Sequence, residues 1–198
     1  MSSLEQFNKF YSLETDGFYE SSLLDFYDTI VSKKVKTSAR VLDIGPGSKS
    51  IFEDTSVDKT LITAIDFSDR ALDLAAKNSS IKFILGDISK REDLPNESFD
   101  LIFDSHCLHC ITDLQDRKNA FANIYQLLNV GGLLAAEMMV QKSRMPVNMP
   151  YKHVPDAFDL EKEILDSGFK IEYFMIGRGL SFSNAHGECD VLRVVCRK

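Results

Sequence analysis

Val41-Leu42-Asp43-Ile44-Gly45-Pro46-Gly47 is the stretch on which the fold turns. An apolar run, Ala39 to Ile44, meets a proline with glycine on either side, which predicts a buried strand breaking into a tight turn. Glycines there let the backbone approach a ligand closely, and a helix starting behind the turn would favour negative charge. Working outward, Leu61 to Ile65 predicts a second strand with Asp66 at its end. Ile81 to Leu85 predicts a third, which runs into Gly86-Asp87-Ile88. An acid ending the second strand suits the hydroxyls of a ribose, and an acid beside an apolar residue on the third can flank an adenine. All three features fall at the carboxyl ends of successive strands, where open α/β sheets bind ligands. Together they predict a nucleoside site.

The rest of the chain alternates in the same way. Residues 4 to 36 read as helical, with Leu23, Leu24, Phe26, Tyr27, Ile30 and Val31 on one stripe. Ser68 is placed to cap a helix that buries Ala71, Leu72 and Ala75. Phe99 to Phe103 predicts a fourth strand. A helix follows from Asp113 to Asn129, with Thr112 and Gln115 at capping-box spacing and Gly131-Gly132 ending it. Leu133 to Val140 predicts a fifth strand. A loop with Pro146, Pro150 and Pro155 leads to a helix over Ala157 to Ser167. Two strands, Phe169 to Ile176 and Val191 to Cys196, close the chain as an antiparallel pair. The expectation is one doubly wound α/β domain over 1–198, with 1–36 as a helical cap and 37–198 as the α/β core.

A chain of 198 residues with 44% hydrophobic residues can bury a full core without disulfides or a structural metal. The net charge of −7 argues against a nucleic-acid substrate, whose affinity would come from neutralised phosphates. A small-molecule substrate is expected instead. No secretory pattern opens the chain, and no run of about 20 apolar residues could span a membrane. The four cysteines therefore read as free thiols in the cytoplasm.

In these features the chain resembles the class I S-adenosylmethionine-dependent methyltransferases, over about residues 37 to 198. Asp43, Gly45 and Gly47 match the family's first motif, Asp66 its ribose acid, and Phe67 the residue beside the adenine. Asp87 and Ile88 match the pair that meets the adenine amino group and ring. Phe99-Asp100-Leu101-Ile102 opens its fourth motif, and Leu108-His109-Cys110 resembles the Leu-His-His that follows. Gln126 to Gly132 is similar to the helix end Leu-Lys-Pro-Gly-Gly. The resemblance implies seven strands with the last antiparallel, S-adenosylmethionine as cofactor and S-adenosylhomocysteine as product. It departs at Lys49, where many members carry glycine; that lysine either projects into solvent or enters the methionine end of the pocket. Ser50 stands where a nicotinamide fingerprint ends in glycine, which disfavours an NAD-dependent oxidoreductase. A non-catalytic, methyltransferase-like module that binds the cofactor or a partner is the other alternative.

If this fold is right, Asp104 to Cys110 faces the methyl group. His106 is the first candidate for a base or a substrate contact, since histidine can take a proton near neutral pH. Asp104 is expected to orient His106 or the ligand. His109 either touches substrate or supports the loop. Cys107-Leu108-His109-Cys110 lacks a second ligand pair, so no metal is expected. Tyr11, Phe18, Tyr19, the loop Met145 to Tyr151 and the connection Gly177 to Gly187 are candidate covers for the pocket. Arg144, Lys152 and Arg178 read either as anchors for a substrate carboxylate or as surface charges.

Overall fold

The computed structural model describes residues 3–13, 17, 19–142, 149, 151–177 and 188–198. Seven strands form one sheet: β1 Val41–Ile44, β2 Ile62–Asp66, β3 Lys82–Leu85, β4 Phe99–Asp104, β5 Leu128–Gln141, β6 Lys170–Ile176 and β7 Cys189–Arg197. Their order is β3-β2-β1-β4-β5-β7-β6. β1 pairs in parallel with β2 and β4, β2 with β3, and β4 with β5, while β7 lies antiparallel to both β5 and β6. The strand order reverses between β1 and β4, and this switch opens the crevice at the carboxyl ends.

Each face of the sheet buries its own layer. Leu42, Ile44, Ile102 and Leu134 pack with Phe121, Ile124 and Ile164 of helices α4 Leu114–Leu127 and α5 Ala157–Asp166. On the other face, Val41, Ala64, Phe103 and Ala135 meet Phe26, Val31 and Phe52. The N-terminal segment, expected to be helical over 4 to 36, is helical in two pieces among the described residues. It is α1 Ser3–Tyr11, then α2 Ser21–Phe26 running into a π-helical turn Tyr27–Val31. Gly17, between the two helices, lies against the turn after β1: a Cβ there would be 2.3 Å from the Ser48 carbonyl oxygen.

Other elements start and stop on different residues than the sequence suggests. Behind the first turn lies a four-residue 3-10 helix, Ile51–Asp54, in place of the expected helix. α3, Asp69–Ala75, begins as predicted, with the Ser68 side chain accepting from the Ala71 N–H. α4 is capped by Asp113 rather than Thr112, since the Asp113 carboxylate accepts from the N–H groups of Gln115 and Asp116. It ends at Leu127, before Gly131-Gly132. Leu128 already pairs with Phe99, and residues 129–132 bulge out before Leu133 pairs with Leu101. Gly131, at φ +79, makes that bulge possible.

Two buried polar contacts hold the loops at the strand tops. Asp43 is wholly buried, and its two oxygens accept hydroxyl hydrogens from Ser50 and Ser105, each at 2.6 Å. Arg117, on α4, is equally buried. It forms a two-pronged pair with Glu163 of α5, at 2.9 and 2.7 Å, and also donates to the Leu108 carbonyl beyond β4.

Both contacts make measurable predictions. Burial pushes the Asp43 carboxyl up to about 7 from an ordinary 3.8, against the pull of its two serines. Between those values the folded chain keeps a proton that the unfolded chain has lost, so stability falls as pH rises through that window. In Asp43→Asn, urea midpoints should decline less between pH 5 and pH 8 than in the parent; an equal decline would refute the assignment. Glu163→Ala leaves the Arg117 guanidinium buried without its counter-ion and should cost about 3 kcal/mol in urea denaturation.

Candidate active site

Three strand tops build one wall of a cavity of about 350 Å³. In the turn after β1, Gly45 and Gly47 both have positive φ, +68 and +63. A Cβ on Gly45 would lie 2.5 Å from Cys107 Cβ, and one on Gly47 2.4 Å from the Tyr11 hydroxyl. Neighbours therefore require glycine at both positions, as well as the backbone conformation. Asp66 accepts from the Gly47 N–H at 3.0 Å and the Ser68 N–H at 2.9 Å, so the acid on β2 also shapes the first turn. Burial raises its carboxyl, and those N–H bonds restrain the rise. Asp87 accepts from the N–H and hydroxyl of Ser89, at 2.9 and 2.7 Å. The Asn123 amide of α4 fixes the Ile88 carbonyl at 2.9 Å.

Gly45, Asp66, Phe67, Asp87 and Ile88 all line this cavity. Two acceptor groups and an apolar strip on one wall fit an adenosine, with hydroxyls towards Asp66 and the ring against Phe67 and Ile88. Asp43 and Gly47 do not line it. They hold the turn from behind. Lys49 is also off the wall: its ammonium pairs with Asp54 at 2.8 Å and lies 5.1 Å from the centre of the Tyr19 ring.

At the far end of the cavity stands His106, in a left-handed conformation at φ +68. Its Nε2 is 3.0 Å from Oε1 of Glu137, which is buried on β5. Glu137 also accepts from the Ser22 hydroxyl at 2.8 Å and Arg193 Nε at 2.7 Å. Burial would raise this carboxyl, but His106, Ser22 and Arg193 outweigh it and hold the group below its ordinary value. An ionised carboxylate only accepts, so Nε2 must carry the hydrogen; in the neutral ring Nδ1 keeps its lone pair. The pair has the geometry of a base with its orienting group.

Asp104 does not orient His106. Its Oδ1 accepts from the N–H groups of Cys107 and Leu108, both at 2.9 Å, and burial pushes the carboxyl up to about 6. It shapes the loop and lies off the cavity wall. His109 is buried behind that wall, with Nε2 3.0 Å from Lys152 Nζ. Burial first, then the Lys152 charge, hold its pKa well below the ordinary value, so the ring is neutral. Its carbonyl accepts from the His153 N–H at 2.7 Å, which ties two loops together. Of the two readings of His109, the geometry matches loop support.

The cover of the cavity includes Phe7 and Tyr11 from α1, and Tyr19 and Leu23 before and within α2. Phe7 packs edge-on against Phe67, with ring centroids 5.5 Å apart. Phe18, Arg144, Arg178 and most of the two candidate loops lie outside the described residues. Glu137, Ser22 and Arg193 escaped the sequence reading. One signal was present: a single carboxylate inside the apolar run Leu133 to Val140. Among the described residues no group of three or more histidines, cysteines or acids is placed to hold a metal ion. Nor is any described helix long and apolar enough to cross a membrane.

Residues 42–136 match a family described as a methyltransferase domain. No curated protein matches the sequence. Among solved structures, the N-methyltransferase NodS from Bradyrhizobium japonicum WM9, in complex with S-adenosylhomocysteine, is 18% identical, with a TM-score of 0.71 over 100% of this chain and 99% of that one. The 1,6-didemethyltoxoflavin-N1-methyltransferase of Burkholderia thailandensis is 19% identical, with a TM-score of 0.65 over 90% and 79%. The cyclase SpnF is 17% identical, with a TM-score of 0.71 over 92% and 87%. Such identities speak for the fold. With the first, second and third strand tops in register and the domain match running from β1 into β5, residues 42–136 form a methyltransferase domain of the class I, S-adenosylmethionine-dependent kind.

Proposed function

We propose that this chain binds S-adenosylmethionine in the cavity and transfers its methyl group to an oxygen, nitrogen or sulfur of a small-molecule acceptor. The observation that carries this is that Asp66 and Asp87 line the same cavity as His106, whose ring is held by the buried Glu137 behind it. Asp66 accepts the ribose hydroxyls, Asp87 the adenine amino group, and Phe67 and Ile88 flank the ring. When bound, the cofactor supplies a methyl carbon already activated on a sulfonium, and S-adenosylhomocysteine is the product. His106 takes the proton that the acceptor loses as its new bond forms, and Glu137 steadies the resulting imidazolium. Residues 1–36 form the cap over the 37–198 core and exclude water from the reacting atoms. A binding-only module would have found support in Lys49 entering the methionine end; its pairing with Asp54 removes that support. The free thiols suit a reducing cytoplasm.

Calorimetric titration tests the cofactor half. S-adenosylhomocysteine should bind the parent chain, and Asp66→Ala should weaken it about tenfold or more, the loss of one or two hydrogen bonds to a charged group. Stabilisation by NAD in place of either adenosyl ligand would overturn the proposal. Transfer of labelled methyl from the donor to a panel of small acceptors tests the chemical half. With an acceptor so found, His106→Ala should lower kcat about 100-fold while the affinity for S-adenosylhomocysteine holds. An unchanged kcat would leave positioning alone as the source of rate.

A further inference from the structure

Lys152 brings a positive charge to the cavity wall that no described acid answers. Its Nζ lies 3.0 Å from His109 Nε2 and 2.9 Å from Cys110 Sγ, and it enters no ion pair among the described residues. Both neighbours are uncharged. Burial above all keeps the His109 ring neutral, and burial raises the Cys110 thiol despite the nearby ammonium. An ammonium has three N–H bonds. Two go to these neutral acceptors, and the third has no described partner. Lys152 is also the only lysine or arginine among the described residues that line the cavity.

The chain holds it there at some cost. Tyr151, just before it, sits at φ +64. Tyr151 and His106 are the two non-glycine residues with positive φ among those described; His106 lines the cavity, and Tyr151 precedes Lys152, which lines it too. Strained backbone of this kind persists where its surroundings over-determine it, and it clusters at ligand sites. The His153 N–H bond to the His109 carbonyl, at 2.7 Å, pins the segment from the other side. The Cys110 thiol joins the two ends, receiving from Lys152 and donating to the His106 carbonyl at 3.1 Å. The ammonium is thus linked through Cys110 to the backbone of the proposed base, and the His109 ring that it touches lies 5.2 Å from the His106 ring. Glu20, Asp66, Asp87, Asp113 and Asp116 also line the cavity and would repel an anion elsewhere on its wall, which leaves the Lys152 ammonium as the place for one.

The geometry points to an acceptor that carries a carboxylate or a phosphate, anchored by Lys152, with its nucleophilic atom next to His106. Such an anion supplies the missing acceptor for the third N–H and neutralises a charge that is half-buried. This rests on the cavity being the methyl-transfer site proposed above. Lys152 then selects the substrate, and Glu137 aligns the base that deprotonates it.

The test uses the full chain saturated with S-adenosylhomocysteine, titrated calorimetrically with benzoate, phenyl phosphate and benzyl alcohol. At least one anion should bind the parent chain, and which one binds separates carboxylate from phosphate. Lys152→Met should weaken that anion about tenfold or more, Lys152→Arg should keep it within about threefold, and neither should change benzyl alcohol. Equal anion affinity in parent and Lys152→Met overturns the inference, as does binding of benzyl alcohol without either anion. A Lys152→Met chain that loses S-adenosylhomocysteine as well would assign the lysine to the donor and overturn it too. If the parent fails to bind S-adenosylhomocysteine, the proposed function fails first, and the two failures stay distinct.

Discussion

A carboxylate shut away from water fixes the site. Asp43 gives one oxygen to Ser50, behind the first turn, and the other to Ser105, at the start of the loop beyond β4. An isolated buried acid would be costly, but two hydroxyl donors in a low-dielectric interior make the contact strong and directional. The donor turn and the acceptor loop are thereby cross-linked through one side chain. Gly45 completes the join, because only a missing Cβ lets Cys107 come so near. Asp66 adds a second tie by holding Gly47 from the neighbouring strand. The wall of the cavity is therefore set before any ligand arrives.

The other end depends on a longer chain of contacts. Glu137 on β5 and Arg193 on β7 face each other across the antiparallel pair. Arg193 donates at once to Glu137, to Asp25 and to the Ser22 carbonyl, and its guanidinium lies 5.4 Å from the centre of the Phe26 ring. Ser22 in turn donates to the same oxygen of Glu137 that meets His106. The N-terminal cap thus does more than cover the cavity. It supplies part of the hydrogen-bonding that keeps Glu137 ionised, and with it the tautomer of His106. Loosening α2 would reach the proposed base through a single residue.

What the sequence made legible is what is local. β1, β2 and β4 are buried nearly throughout and read as unbroken apolar runs. The donor-side acids follow those runs directly, so strand ends located them. Local signals failed where distant partners decide. Gly17 looks like any turn residue until Ser48 is found against it. Thr112 and Gln115 have capping-box spacing, yet Asp113 takes the α4 cap with a carboxylate that reaches two N–H groups. Glu137 sits in a run that reads as core, and only the convergence of Ser22, His106 and Arg193 shows why a charge can lie there. Lys152 could be read from the sequence either as a carboxylate anchor or as a surface charge, because its place on the cavity wall depends on a strained neighbour and on a backbone bond to His109.

Fold and chemistry divide along the same line. NodS, the toxoflavin enzyme and the cyclase SpnF share this sheet with TM-scores from 0.65 to 0.71, although one of them is named for ring formation. A sheet common to such different reactions cannot choose between them. The donor wall is made largely of backbone and of acids at strand ends, features that any sequence with the same three turns can reproduce. The acceptor end is assembled from pieces far apart in the chain: the loop beyond β4, one residue each on β5 and β7, α2, and the segment before α5. At that end lie the buried Glu137 pair and the Lys152 charge, on which the proposed acceptor chemistry rests.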